Sequence, residues 1–245
     1  MRTRLLLGAS ALLAMSAIAI PGAAQTPQMA RVTVTHVKPD MLNEWLDLEK
    51  NEVVPALKKA GQASRTVYAT SLFGNAYEYV IITPFARYAE FDAGNPMTKA
   101  LGQPAAARLG EKLRKCTLSN TSYSITRLTD LSNVLEDAMP QMIVTARYRI
   151  TPGKIEEYRN LVKSEVLPVY KKAKTGLIVN QRGPGANPNE VTMSTVLTKF
   201  ADLDGGPLMV KQLGQAGADR VNAKFIGVRT LIEVVVRARV ADLSF

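Results

Sequence analysis

The sequence predicts an α+β protein built from two consecutive β-α-β-β-α-β units, and three observations carry that expectation. The stretch EVVPALKKA from Glu52 to Ala60 is written again as EVLPVYKKA from Glu165 to Ala173. An offset of 113 pairs residues 32–60 with 145–173 without a gap, and an offset of 112 pairs 88–132 with 200–244, closing each half on Asp-Leu-Ser at 130–132 and 242–244. Both halves also pass through the same succession of period-2 and period-3.6 hydrophobic patterns. A period this long is a domain and not a solenoid repeat. The expected organisation is a leader over 1–24, one unit over 31–132, a linker over 133–140 and a second unit over 141–244.

Residues 31–37 form a β-rich run that stops at Lys38, Pro39 and Asp40. After it Leu42, Trp45, Leu48, Val53, Ala56 and Ala60 recur at helical spacing. Pro55 has no N–H to offer the carbonyl of Asn51, a defect of about 3 kcal/mol in a regular helix interior, so a kink or break is expected near Val54 and likewise near Leu167. Gly61 ends the helix. Residues 66–72 and 77–83 flank Gly74 and Asn75, which supply the positive φ of a tight hairpin. A short helical turn over 84–92, an interruption at Gly94-Asn95-Pro96, a helix over 97–115 and a strand over 119–128 complete the first half. The second repeats the order with 142–150, 155–173, 177–182, 191–197, a broken helical region over 199–225 and 228–240. Its hairpin carries the longer Gly/Pro loop 183–189, which leads into a strand and lacks the Lys and Ser/Thr of a phosphate-binding loop. This order is the split βαβ, or ferredoxin-like, unit.

Arg2 and Arg4 precede an almost wholly apolar run over 5–20 and the small residues around Pro21 to Ala24, the composition of a cleaved secretory signal. A periplasmic or secreted protein with no membrane association after cleavage is therefore expected. Without Arg2 and Arg4 the 31 basic residues become 29 against 21 acidic ones, a net charge of +8 that favours anionic solutes and surfaces. The basic residues are spread over both halves and form no recognition motif, so nucleic acid is not expected as a partner. Cys116 is the single cysteine, which excludes an internal disulfide, and its counterpart Val228 indicates an apolar packing role. His36 is the single histidine, too few for a histidine-based metal site, and no motif calls for a cofactor.

A ferredoxin-like unit has helices on one face of its sheet, and its other face must be buried against a second sheet. Here the chain resembles the dimeric α+β-barrel superfamily, in particular antibiotic-biosynthesis-monooxygenase and NIPSNAP-like domains. The resemblance rests on the element order, on the turns at Pro39 and at Pro152-Gly153, and on the stretches 85–91 and 197–203 that enter the second helix of each half. It implies an α+β barrel over nearly all of the mature chain, with closure within one chain and closure between chains of a homo-oligomer both open. Relatives include cofactor-free oxygenases and ligand-binding proteins. A further branch, similar to chlorite dismutase, holds haem through a histidine of its C-terminal unit, a residue this second half lacks.

Strand alternation assigns side chains to faces. Met142, Val144, Ala146, Tyr148 and Ile150 read as helix-facing, which leaves Thr145, Arg147 and Arg149 on the other face with Val32, Val34 and His36 in the equivalent strand. Glu78 and Glu190 occupy matched hairpin positions. In the last strand Ile232, Val234, Val236 and Ala238 are expected toward the helices, and Glu233, Val235, Arg237 and Arg239 opposite, with Tyr123, Ile125 and Arg127 as counterparts. In one reading the inter-sheet cavity binds a small organic ligand through Arg147, Arg149, Arg237 and Tyr123, while His36, Glu78 or Glu190 moves a proton. In that reading Glu190→Gln and Arg147→Met disturb ligand binding more than melting. In the other, the same charges are Arg/Glu pairs that hold the sheets together. Trp45 and Tyr158 are expected core aromatics, and Glu52 and Glu165 exposed helix carboxylates.

Three function classes follow: an exported barrel binding a small organic ligand, anionic where the arginines take part; a cofactor-free monooxygenase-like enzyme; and a structural or assembly protein. Export is checked by N-terminal sequencing of protein from the native host. A mature chain beginning close to Gln25 is expected, and an intact Met1 terminus in soluble cytosol contradicts it.

Overall fold

The computed structural model describes residues 28–70, 72–135 and 140–245. The proposed leader over 1–24 and part of the 133–140 linker lie outside them. Eight strands, β1 (Met29–Val37), β2 (Thr66–Thr70), β3 (Glu78–Phe85), β4 (Thr117–Arg127), β5 (Met142–Ile150), β6 (Leu177–Arg182), β7 (Glu190–Leu197) and β8 (Arg229–Arg239), form one closed antiparallel barrel in the order β1-β3-β2-β8-β5-β7-β6-β4. Closure takes place within a single chain. The two four-stranded sheets do not stack as separate layers; they join edge to edge through β2–β8 and β4–β6, each a ladder of three residue pairs.

The helices lie outside. In the first half α1 (Leu42–Leu48) and α2 (Val54–Lys59) are joined by a π-helical turn over Glu49–Val53, and in the second α5 (Ile155–Leu161) and α6 (Leu167–Lys172) are joined by one over Val162–Val166. The expected kinks at Pro55 and Pro168 take this form. A π turn widens the ladder by one residue and accommodates the missing N–H, so the chain stays right-handed helical through Val54 and Leu167. The expected helix over 97–115 is two pieces, α3 (Pro96–Leu101) and α4 (Gln103–Cys116), divided at Gly102 with φ 79°. The matched Gly214, φ 70°, breaks α7 (Leu208–Lys224) in the same way.

Each half has a core between the outer face of its strands and its helices. Trp45, Val37, Val67 and Cys116 centre the first, and Tyr158, Ile150, Val179 and Val191 the second, all essentially inaccessible to solvent. Neither core is completed by its own half. Leu131, in the segment after β4, is buried among the second-half residues, and Leu243, after β8, among the first-half residues. The flanking Asp and Ser fasten each strap. Asp130 pairs with Arg159 at 3.1 Å and Asp242 with Lys50 at 2.6 Å. Ser132 Oγ donates to the Leu128 carbonyl and accepts from the Val179 N–H at 3.0 Å, while Ser244 Oγ donates to the Val240 carbonyl and accepts from the Val67 N–H at 3.0 Å. The repeated Asp-Leu-Ser is therefore a reciprocal clasp.

Leu131→Ala and Leu243→Ala each empty a fully enclosed site and are expected to lower unfolding free energy by about 2–5 kcal/mol. Urea unfolding monitored by tryptophan fluorescence and far-UV circular dichroism measures it. A loss below about 1 kcal/mol for both would show that the straps are peripheral.

Candidate functional site

Strand alternation places Val32, Tyr68, Val80 and Ile143 inside the barrel, with Val34, Ile82, Tyr123 and Ile125 packed around them. The polar side chains on this face converge on two carboxylates. Glu190, 4% exposed, accepts from Arg147 Nη1 at 3.0 Å, Arg149 Nη2 at 3.0 Å and Arg182 Nη1 at 2.7 Å, and Arg147 Nε reaches Glu233 at 2.8 Å. Glu78 accepts from Arg237 Nη2 at 2.7 Å and Thr70 Oγ1 at 3.2 Å, with His36 Nε2 at 3.4 Å. The second nitrogen of His36, Nδ1, lies 3.1 Å from Ser119 Oγ. Tyr123 stacks under the Arg182 guanidinium, 3.8 Å from its ring centroid. The structure thus gathers the sequence-singled residues into two groups, Glu190 with Arg147 and Arg149, and Glu78 with Arg237 and His36. It adds Arg182 and Thr70, equivalent positions in the two hairpins whose dissimilar chemistry hid their shared role.

Burial alone would raise the Glu190 carboxyl, but the N–H groups of Arg149, Arg147 and Arg182 overrule it and hold its pKa at about 2. Glu78 is also lowered, burial being outweighed by Arg237, Thr70 and His36. A carboxylate this well satisfied is a weak proton acceptor near neutrality. Tyr68, buried against the same interior, donates to the Pro140 carbonyl at 3.0 Å, and burial pushes its hydroxyl up to about 12.

The expected inter-sheet cavity is not where the large opening lies. Eight strands leave an interior about wide enough for side chains, and Val32, Tyr68, Val80 and Ile143 are buried in it. A cavity of about 980 Å³ lies instead on the outer face, between β5, β7 and β8 and the segment from Leu203 through α7. Val144, Ala146, Met193, Leu208 and Phe225 contribute apolar wall. Arg229, at the start of β8, lies across that wall, its guanidinium 3.7 Å from the Phe225 ring centroid and 4.1 Å from that of Tyr148. Polar neighbours beside it include the Met193 sulfur, 3.7 Å from Nη1, and the buried Tyr158 and Tyr170 hydroxyls; no carboxylate among the described residues pairs with it. Tyr170 also lines the cavity, its hydroxyl 2.7 Å from Thr195 Oγ1, and burial raises its pKa. The carboxylate on the lining is Asp202, which accepts from the Thr198 and Lys199 N–H groups at 2.7 and 3.1 Å and is held below the usual range by those bonds. The cavity thus offers apolar walls, the phenols of Tyr148 and Tyr170, the Arg229 guanidinium and the ammonium groups of Lys174 and Lys211, and the carboxylate on its lining, Asp202, is already engaged. Nothing in the linear sequence marked Arg229, because its two aromatic neighbours come from β5 and the end of α7.

No protein-family profile and no curated protein matches the sequence. Solved structures do. A presumed monooxygenase from Lactobacillus acidophilus superposes with a TM-score of 0.58 at 10% identity, over 90% of this chain and 96% of the other. An anthrone oxidase-like protein gives 0.54 at 11% identity, over 88% and 92%. A presumed chlorite dismutase gives 0.51 at 9% identity, over 88% and 96%. The chain shares an α+β-barrel fold with these structures, and at these identities the fold alone is shared. Among the described residues no group of three or more His, Cys, Asp or Glu is placed to hold a metal ion. The cavity lining contains no histidine and His36 lies on the opposite face of the sheet, so the donor set does not fit histidine-ligated haem.

The burial of Glu190 among three guanidinium groups favours the sequence reading in which these charges hold the strands together. Glu190→Gln removes the carboxylate shared by Arg147, Arg149 and Arg182, stranding chiefly the largely buried Arg182 side chain because Arg147 keeps Glu233 and Arg149 reaches solvent, and should lower stability by a few kcal/mol, as truncation of buried pairs does. Because the folded carboxyl sits near 2 against an ordinary 4.5, its contribution is complete above about pH 4.5 and is lost as pH falls toward 2. Melting temperature against pH should fall along this acid limb in the parent and be flatter in Glu190→Gln; identical limbs would overturn the assignment.

Proposed function

We propose that this is an exported barrel, built from a duplicated ferredoxin-like unit, that binds a small apolar organic molecule bearing one anionic group in the cavity of its second half. The observation that carries this reading is Arg229: a guanidinium stacked between two aromatic rings on an apolar wall, with no carboxylate partner among the described residues. Its face-on contacts leave in-plane N–H donors for an anionic oxygen, and the fixed stacking limits the side-chain entropy lost on binding. Tyr148 and the apolar wall supply the surface for the rest of the molecule. In the same reading the charges inside the barrel act as scaffold and not as a proton relay, since each carboxylate there is engaged by cations or hydroxyls. Export rests on residues 1–24 and gives the protein an extracytoplasmic ligand.

The ligand class is tested by calorimetric titration with 2-naphthoate and its neutral methyl ester. Parent protein should prefer the carboxylate, and Arg229→Met should weaken it about tenfold or more, near 1.5 kcal/mol, while leaving the ester within about twofold. Equal affinities for acid and ester in both proteins would sink the reading. Cofactor-free oxygenation of the bound molecule remains the second reading. It draws on the same cavity and on a fold shared with a presumed monooxygenase, and predicts substrate-dependent oxygen consumption by metal-free protein.

A further inference from the structure

We propose that the open edge of β8, from Thr230 to Val234, pairs antiparallel with the same edge of a second copy of this chain, giving a twofold dimer that also covers one wall of the cavity. The inference does not rest on the ligand reading. It begins with an incomplete seam. Among the described residues the β2–β8 ladder spans only Arg237 to Arg239, while the rest of β8 pairs with β5 on its other side. A strand edge of this kind presents unpaired N–H and C=O groups, which proteins normally blunt.

The equivalent edge in the first half is blunted twice over. Residues 119–122 of β4 are Ser, Asn, Thr and Ser. The long loop of the second hairpin also folds along that strand. Ser124 N–H donates to the Pro184 carbonyl at 2.9 Å, and Gly183 N–H to the Ser124 carbonyl at 2.8 Å. Gly185, φ 91°, approaches so closely that a side chain there would overlap the Ser122 carbonyl. The first-half loop, 71–77, is equally long, but among its described residues no backbone hydrogen bond lays it along β8 as Pro184 lies along β4, and Gly74 of its tip sits beside Val235. At the places matching Ser119, Asn120 and Ser122, β8 carries Leu231, Ile232 and Val234, which are 53%, 36% and 55% exposed. Ile226, 80% exposed, precedes them, and Leu72 and Phe73 of the hairpin tip, 73% and 59% exposed, flank them. Over the matched stretches 119–122 and 231–234 the first edge is polar and the second largely apolar, although Leu118 just before the first is also exposed.

A second copy fits better than other occupants. An antiparallel strand identical to this one offers donors where it offers acceptors, which is the self-complementarity a twofold interface requires. The charge on the segment, Glu233, is already neutralised by Arg147 of its own chain, so two copies meet without an unpaired like charge. The six exposed apolar side chains present on the order of 600 Å² per copy, close to the roughly 800 Å² per partner of a stable interface. Leu231, Val234 and Ile226 also wall the cavity, so the site stays open to solvent on that side until the partner covers it.

Sedimentation velocity over about 1–100 µM tests this. The parent chain should be dimeric by tens of micromolar. Ile232→Lys should weaken association at least tenfold with unchanged melting, and Asn120→Lys, at the equivalent place on β4, should leave it intact. Phe73→Asp, in the hairpin loop and outside the barrel ladders, provides a second disruption should Ile232→Lys fail to fold. A parent that stays monomeric at the top of the range, or a dimer untouched by Ile232→Lys and Phe73→Asp, overturns the proposal. So does a monomer that instead sediments with phosphatidylglycerol vesicles, which would assign the patch to a lipid surface. The naphthoate titration reads Arg229 independently of each of these outcomes.

Discussion

Closure of the barrel depends on two leucines that each half lends to the other. The seams that turn two four-stranded sheets into one ring are ladders of three residue pairs, too short to hold a barrel by backbone hydrogen bonds alone. Leu131 and Leu243 supply what the seams lack, because each completes a core it does not belong to in sequence. The Val67 N–H to Ser244 Oγ bond links residues 177 positions apart, so the first half is sealed only by the last residues of the chain. Such contacts are slow to form and make the two halves one cooperative unit.

With closure secured, the two faces of the barrel wall take different work. The inner face holds buried apolar side chains, and its carboxylates Glu190 and Glu78 are each engaged by guanidinium groups. Glu190 gathers Arg147 and Arg149 from β5 and Arg182 from β6, and Glu78 reaches across β2 to Arg237 on β8. A one-residue slip of any of these strands would turn the charge into the apolar outer layer, so the pairs also fix register. The outer face of the second half is where space opens. There the chain leaves β7, passes Leu203 and Pro207 and returns along a helix broken at Gly214, so the helical layer does not close fully on the strands.

The element order, the apolar counterpart role of Cys116, the core aromatics Trp45 and Tyr158 and the face of every inner residue from Val32 to Arg239 were legible from alternation and repetition. Those patterns come from period 2 and period 3.6, which a sequence displays directly. The failures share a cause: each depends on where separate elements meet. Ile232 and Val234 were expected against the helices, but the ladder to β5 shifts between Arg147 and Tyr148, leaving Ile232 out of register, and Val234 faces outward where the helical layer ends. The same alternation that found the charged inner face drew the cavity to it. It could not show that the outer face of the second half would open into a cavity, or that Arg229 would lie between Tyr148 and Phe225.

Where the halves remain alike and where they differ follows from what each place must do. Glu52 with Lys112 and Glu165 with Lys224 are the same helix-to-helix pair at matched positions, kept in both halves because both helix layers need it. Thr70 and Arg182 are also matched, and both bond the hairpin glutamate, but only the second adds a charge. The hairpin loops diverge most, and with the largest structural effect. The two loops are equally long, 71–77 and 183–189, but the Gly/Pro-rich second one lays Pro184 and Gly185 along β4 at Ser122 to Ser124, while among the described residues of the first Gly74 lies beside Val235 of β8. A barrel made of two like halves has two like edges to protect. Because the loop that protects one edge belongs to the other half, a change in a single hairpin is enough to leave one edge sealed and the other open.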